Sequence, residues 1–273
     1  METRRYRCGW GCVAVLATWP AISNGQIAYQ QPPAGNGQGV RSDGAIANPN
    51  FFQRIADDFV LASPAIVTGV EWWGGSENFS SADLTNITGF RISFYLNGPN
   101  GIPVEPPMFT QMIPIAGVIA TPTCNDFILG GYQYHMSAQL SAPVALPSGV
   151  TLWIHIGALL DSFNLDSMLW SESNVGNNQY SADSAPNDGV WQGPIASPLG
   201  DFAFLLSTGA AAPCNPADAN CDGSFTAADL SSFVNAMLGI GASCSPCAGD
   251  IDGNGVPNGK DVQAYSCAAI RAL

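Results

Sequence analysis

Near its C-terminus the chain twice places oxygen-bearing side chains at the spacing of a cage for a hard cation. The run Asp218-Ala-Asn220-Cys-Asp222-Gly223-Ser-Phe-Thr226-Ala-Ala-Asp229 returns thirty-two residues later as Asp250-Ile-Asp252-Gly-Asn254-Gly255-Val-Pro-Asn258-Gly-Lys-Asp261. Each copy sets such side chains at loop positions 1, 3, 5, 9 and 12, with Gly at position 6. A calcium ion takes about six to eight oxygens, so the chain turns sharply at Gly to aim them inward, and position 7 adds its carbonyl. One copy can arise by accident in a chain rich in Asp, Asn and Gly. Two in register, each followed by a helical pattern, point to calcium.

The elements that must position these loops follow them. Leu230, Phe233, Val234, Met237 and Leu238 form an apolar stripe at helical spacing, which predicts a helix from near Thr226. Val262, Tyr265, Ala269 and Ile270 repeat it more weakly. No good helix leads into either loop, because Cys214-Asn-Pro precedes the first and Ser243-Cys-Ser-Pro-Cys247-Ala-Gly the second. An ordinary EF-hand has a helix on both sides. A doubled loop-plus-helix unit resembles a type I dockerin, and the resemblance spans residues 214–273.

That resemblance implies a ligand set and a partner. Side-chain ligands carry over to Asp218, Asn220, Asp222, Thr226 and Asp229, then to Asp250, Asp252, Asn254, Asn258 and Asp261, with Ser224 and Val256 offering carbonyls. Two calcium ions and a cohesin-like protein domain or cell-surface scaffold as partner follow. Position 8, usually aliphatic, is Phe225 in one copy and Pro257 in the other; Pro lacks an N–H and fixes its own φ, weakening the second loop. Positions 10 and 11, which face the partner in the family, are Ala227-Ala228 and Gly259-Lys260, so the two faces differ.

Cysteine use fits a small exported domain. Cys124, Cys214, Cys221, Cys244, Cys247 and Cys267 remain after the N-terminal segment, and staples suit a module with little core. Their pairing is open, and Cys244-Ser-Pro-Cys247 could alternatively be half a zinc site or a redox pair. Arg4, Arg5 and Arg7 precede an apolar run from Cys8 to Ile22, and Ala21-Ile-Ser23 offers small residues at a cleavage site. This reads as a signal peptide over residues 1–23, hence secretion or a surface location; a membrane anchor fits less well, the run being short and broken by Gly and Pro.

Composition narrows the rest. A formal net charge of −13 with only 11% charged residues argues against nucleic acid as a partner. Thirty Gly and twenty Pro point to a strand-based body. We expect a flexible leader over 24–50, a jelly-roll-like β-sandwich over 51–208, a linker over 209–213 and the helical module over 214–273: mainly β overall. Even positions of Thr88–Leu96 are apolar, and Leu152, Ile154 and Ile156 face the core with Trp153 and His155 opposite. Ile66 and Val70 are spaced for one face, and Asp201–Leu206 forms a last strand. Ala56-Asp57-Asp58-Phe59, the run 69–74, Trp170, Trp191 and Asp201-Phe-Ala-Phe-Leu resemble uncharacterised secreted bacterial β-sandwich modules often found beside calcium-loop repeats.

Other chemistry has a plain reading beside it. Asp57-Asp58 is either a catalytic or metal carboxylate pair or a strand-edge feature. His135 and His155, both outward on this register, lack a Gly-x-Ser-x-Gly elbow to serve. Asp161, Asp166 and Glu172 are carboxylates a glycosidase would need, without a pattern that pairs them. Trp72, Trp73, Trp153, Trp170 and Trp191 either fill the core or leave an aromatic on the surface for sugar stacking. The expectation is an exported, non-catalytic sandwich docked by a calcium-bound tail; the alternatives are a carbohydrate-binding module or polysaccharide-degrading hydrolase delivered by that tail, and a purely structural surface protein.

Overall fold

The computed structural model describes residues 26–45, 53–76, 84–126, 131–160, 168–177, 179–184, 190–196, 201–209, 217–222, 225–240, 249–251 and 257–272. The first strands are β1 (Gln26–Gln31), β2 (Gly39–Arg41), β3 (Asp43–Ala45), β4 (Gln53–Val60) and β5 (Ala65–Ser76). Then come β6 (Ile87–Leu96), β7 (Phe109–Pro114), β8 (Val118–Asp126), β9 (Tyr132–Leu146) and β10 (Thr151–Leu160). The body closes with β11 (Met168–Ser173), β12 (Gln179–Ser184), β13 (Gln192–Ala196), β14 (Asp201–Phe202) and β15 (Phe204–Thr208). Helices α1 (Asp229–Met237) and α2 (Gly259–Ala272) follow.

These strands make two sheets around one core. The eight-stranded sheet runs β1-β15-β5-β11-β14, with β9 also on β5, β8 on β9 and β2 on β11. The seven-stranded sheet runs β13-β12-β4-β3-β10-β6-β7, with β4 also paired to β10. Pairing is antiparallel except β3 on β10. Strand alternation drives the packing: Ile55 and Phe59 of β4, Phe90, Ile92 and Phe94 of β6, and Leu152, Ile154 and Ile156 of β10 all enter the core. Aromatic rings bridge the layers, with Phe59 5.6 Å from Phe204, and Trp72 4.8 Å from Phe90. Each such side chain contributes roughly 1.5–3 kcal/mol by leaving water.

The structure departs from expectation in three places. Residues 24–50, expected as a flexible leader, supply β1, β2 and β3 instead. Their polar side chains hid a backbone-driven role: β1 pairs along β15 while Tyr29 packs on Phe59 and Phe204. Ile66 is exposed rather than sharing a face with buried Val70, because the register with β9 shifts between Val67 and Gly69. The expected last strand divides into β14 and β15. At Ala203 the chain changes partners, its N–H donating to the Ser171 carbonyl and its own carbonyl accepting from Trp73 N–H.

Of the two readings of the sandwich tryptophans, packing is the one the structure shows: all five are at most 4% exposed. Trp72 and Trp170 lie in the core, whereas Trp153 and Trp191 pack with Ala56 and Tyr95, and Trp73 with Ala203 and Leu205. The segment after β6 covers the outward-facing Trp153. Asn97 accepts from its Nε1 at 2.9 Å, and Glu105 accepts from Trp191 Nε1 at 3.0 Å. Arg54 pairs with Glu105 at 2.8 Å and stacks over Trp191. On the other sheet, α2 lies against β8.

Candidate functional site

The repeat loops close in the same way. Asp229, at position 12 of the first, is fully buried; its Oδ1 accepts from Asn220 N–H at 3.1 Å and its Oδ2 from Thr226 N–H at 2.7 Å. Asp261, at position 12 of the second, is equally buried; its Oδ1 accepts from Ile251 N–H at 2.8 Å and its Oδ2 from Asn258 N–H at 2.6 Å. Each carboxylate therefore ties the start of its loop to position 9, just before the helix. Asp218 and Asn220 both accept from Asp222 N–H, at 3.1 and 2.9 Å, so the side chains of positions 1 and 3 meet the main chain of position 5. Asn220 in turn donates to Asp222 at 2.9 Å. Cys221, between them with φ of 58°, is disulfide-bonded.

A shared core holds the two loops together. Position 2 of each copy, Ala219 and Ile251, packs with Ala217, Phe233 and Tyr265. Phe233 stacks on Tyr265 at 4.0 Å, and Phe225 meets that ring edge-on at 5.5 Å. Burial, then the charge of Asp229, pushes the Tyr265 phenol up to about 12. The oxygens of Asp218, Asn220, Asp222, Thr226 and Asp229 suit a hard cation. In the second loop Asp250, Asn258 and Asp261 take the matching places; Ser224, Asp252, Asn254 and Val256 lie outside the described residues.

The helices differ from the predicted stripe. α1 begins at Asp229, three residues later than expected, since Asp229 holds Thr226 N–H in the loop closure. Phe233 turns inward, whereas Leu230, Val234 and Leu238 form an exposed row, and Val262 of α2 is exposed too. Beside that row Phe225, Thr226, Ala227, Leu230, Tyr265 and Ala269 line a cavity of about 310 Å³.

A second cluster was only half visible in the sequence. Asp57, Asp58 and Asp201 bring carboxylate oxygens within 4.8 Å of one another at one end of the sandwich. Asp57 shares the inward face of β4 with Ile55 and Phe59, is fully buried, and accepts from Phe202 N–H of the opposite sheet at 2.9 Å. Asp201 reciprocates, accepting from Gln179 N–H at 3.1 Å. Asp58 takes both oxygens to Asn177 Nδ2, at 3.1 and 2.9 Å. Burial and then Asp201 hold Asp57 well above the carboxylate range; burial also lifts Asp58 to about 6, against the lowering effect of Asn177. Tyr29, half-buried beside the same three carboxylates, is raised as well, by burial first and then by their charge. Asp57 is thus no strand-edge feature. The available signal was a conflict: alternation puts position 57 on the core face, where an acid needs a reason.

The remaining suspects among the described residues have partners within the fold. His135 pairs through Nε2 with Glu71 at 2.8 Å and stacks on Trp73 at 4.5 Å. His155 Nδ1 meets the Ile55 carbonyl at 2.8 Å, and burial drives its pKa down to about 3, so the ring stays neutral. Both point outward on their strands as predicted, yet both are covered. Glu172 is buried, bonded to Asn36 at 3.2 Å, and raised by that burial; Asp161 and Asp166 lie outside the described residues. Among the described residues no helix is long and apolar enough to cross a membrane.

Comparison with known proteins adds a family. Residues 27–207 match the family model described as "Domain of unknown function (DUF7901)". No curated protein matches the chain. A solved structure described as "AvmM Catalyzes Macrocyclization in Alchivemycin A Biosynthesis" aligns at 13% identity with a TM-score of 0.20, over 65% of this chain and 99% of that one. A likeness that low carries no argument.

Proposed function

The chain belongs to the DUF7901 family, and we propose that it is an exported, non-catalytic display protein. Its jelly-roll-like sandwich is the displayed body, and its C-terminal dockerin-like module folds around two calcium ions and docks on a cohesin-like domain or cell-surface scaffold. The matched closure at Asp229 and Asp261 carries the reading: two buried carboxylates, each holding an early-loop N–H and the position-9 N–H. Calcium would be held by Asp218, Asn220, Asp222, Thr226 and Asp229 in one loop, and by Asp250, Asp252, Asn254, Asn258 and Asp261 in the other. Carbonyls of Ser224 and Val256 complete the sets. The ions would offset clustered negative charge and so favour the packed helices.

Docking falls to the outer side of the module. Leu230, Val234, Leu238 and Val262 are exposed there, beside a cavity lined by Ala227 at loop position 10. Exposed apolar side chains of this kind suit a protein partner. The sugar-stacking alternative loses its platform, since all five sandwich tryptophans are buried. Equilibrium dialysis of the full chain tests the loops. Asp229→Ala and Asp261→Ala should each lower the calcium count by one; an unchanged count in both would refute the ligand assignment.

A further inference from the structure

We propose that Asp57, Asp58 and Asp201 form a third cation site, set between the two sheets and taking a hard divalent ion of the calcium class. This goes beyond the loop sites and rests on different residues. The three ligand oxygens lie within 4.8 Å of one another, and Asp57 and Asp201 are at most 1% exposed. Such a group calls for positive charge. Every hydrogen bond to Asp57 and Asp58 among the described residues comes from an amide, either main-chain N–H or Asn177 Nδ2. Amides orient a carboxylate without cancelling its charge.

An independent feature points at the same spot. Gln31, fully buried at the end of β1, donates through Nε2 to the Val175 carbonyl at 3.2 Å, which leaves its Oε1 buried with no partner. A buried carbonyl oxygen in that state is unfavourable unless something binds it. Gly176 locates this amide beside the triad. A Cβ there would stand 1.8 Å from Asp201 Oδ2 and 2.7 Å from Gln31 Nε2, so the Gln31 amide group lies beside the Asp201 carboxylate. Gly176 also has φ of 130°, which a side chain would strain. The three carboxylates form an all-oxygen donor set, the kind hard cations select over transition metals. Its members come from β4 of one sheet and from β14 of the other, so the ion would clamp the sandwich at that end.

Calcium alone is the probe, in equilibrium dialysis of the full chain paired with thermal unfolding. In a chain whose loops are silenced by Asp229→Ala and Asp261→Ala, one ion per chain should remain, and calcium should still raise the unfolding midpoint. Adding Asp201→Asn should abolish both effects. Asp58→Asn, at the partly exposed rim, is the variant expected to fold normally, and in the otherwise natural chain it should lower the count by one. An unchanged count in Asp58→Asn and Asp201→Asn, or no calcium bound by a folded loop-silenced chain, overturns the site. If instead the loop substitutions leave the count untouched, the loop assignment has failed and the triad stands or falls on its own variants.

Discussion

A buried histidine gives the sandwich a dependence on pH that its surface does not reveal. His155 has a folded pKa of about 3, lowered chiefly by burial, against an ordinary value of 6.5. Above pH 6.5 the ring is neutral in both states and costs nothing. As the pH falls below that value, the unfolded chain takes up a proton that the folded chain refuses. Stability then drops by about 1.4 kcal/mol per pH unit until the folded ring also titrates. His155→Gln should flatten this part of the profile while costing roughly 1–3 kcal/mol at neutral pH through lost packing and the Ile55 carbonyl. Urea midpoints at several values between pH 4 and 8 check it, and parallel profiles for the two proteins would contradict it. Aromatic positions behave more simply. Trp72 is wholly buried against Phe90, so Trp72→Ala should cost about 3–5 kcal/mol in the same measurement.

Within α1, neighbouring residues have opposite duties. Phe233 stacks on Tyr265 in the small core, so Phe233→Ala should cost about 3–5 kcal/mol and loosen both loops together. Val234 is 44% exposed, so Val234→Ala should stay within about 0.5 kcal/mol of the natural protein in thermal unfolding. If the two variants lost similar stability, the outward face would be packed rather than free to dock. The helical period showed where α1 lies but merged these two faces into one stripe, because it cannot say how much of an apolar face finds a partner. Strands were more legible. Alternation correctly placed Phe90, Ile92 and Phe94, and Leu152, Ile154 and Ile156, in the core. It failed where backbone pairing rather than side chains makes the element, as in β1 to β3, and where the chain changes partners at Ala203. Asp58 and Asp57 were visible as a pair, but Asp201, Asn177 and Gln31 join them only through the closing of two sheets, which no local pattern encodes.

Across the whole molecule, negative charge is concentrated rather than spread. The formal net charge is −13 although only 11% of residues are charged, and acids gather in both loops and between the sheets. Two forms of relief can be told apart by distance. Monovalent salt screens over a Debye length of about 8 Å near physiological ionic strength, so it weakens repulsion between separated charges. Oxygens within 4.8 Å of one another in a largely buried triad are too close for that, and only a bound ion or a proton relieves them. Each occupied site adds about 2.7 kcal/mol when free calcium stands at about a hundred times its dissociation constant. Calorimetry of the full chain at pH 7 should therefore show a lowered midpoint in EDTA that calcium restores and half-molar sodium chloride does not. Equal recovery in sodium chloride would mean that diffuse self-repulsion, and not bound cations, limits the stability of this protein.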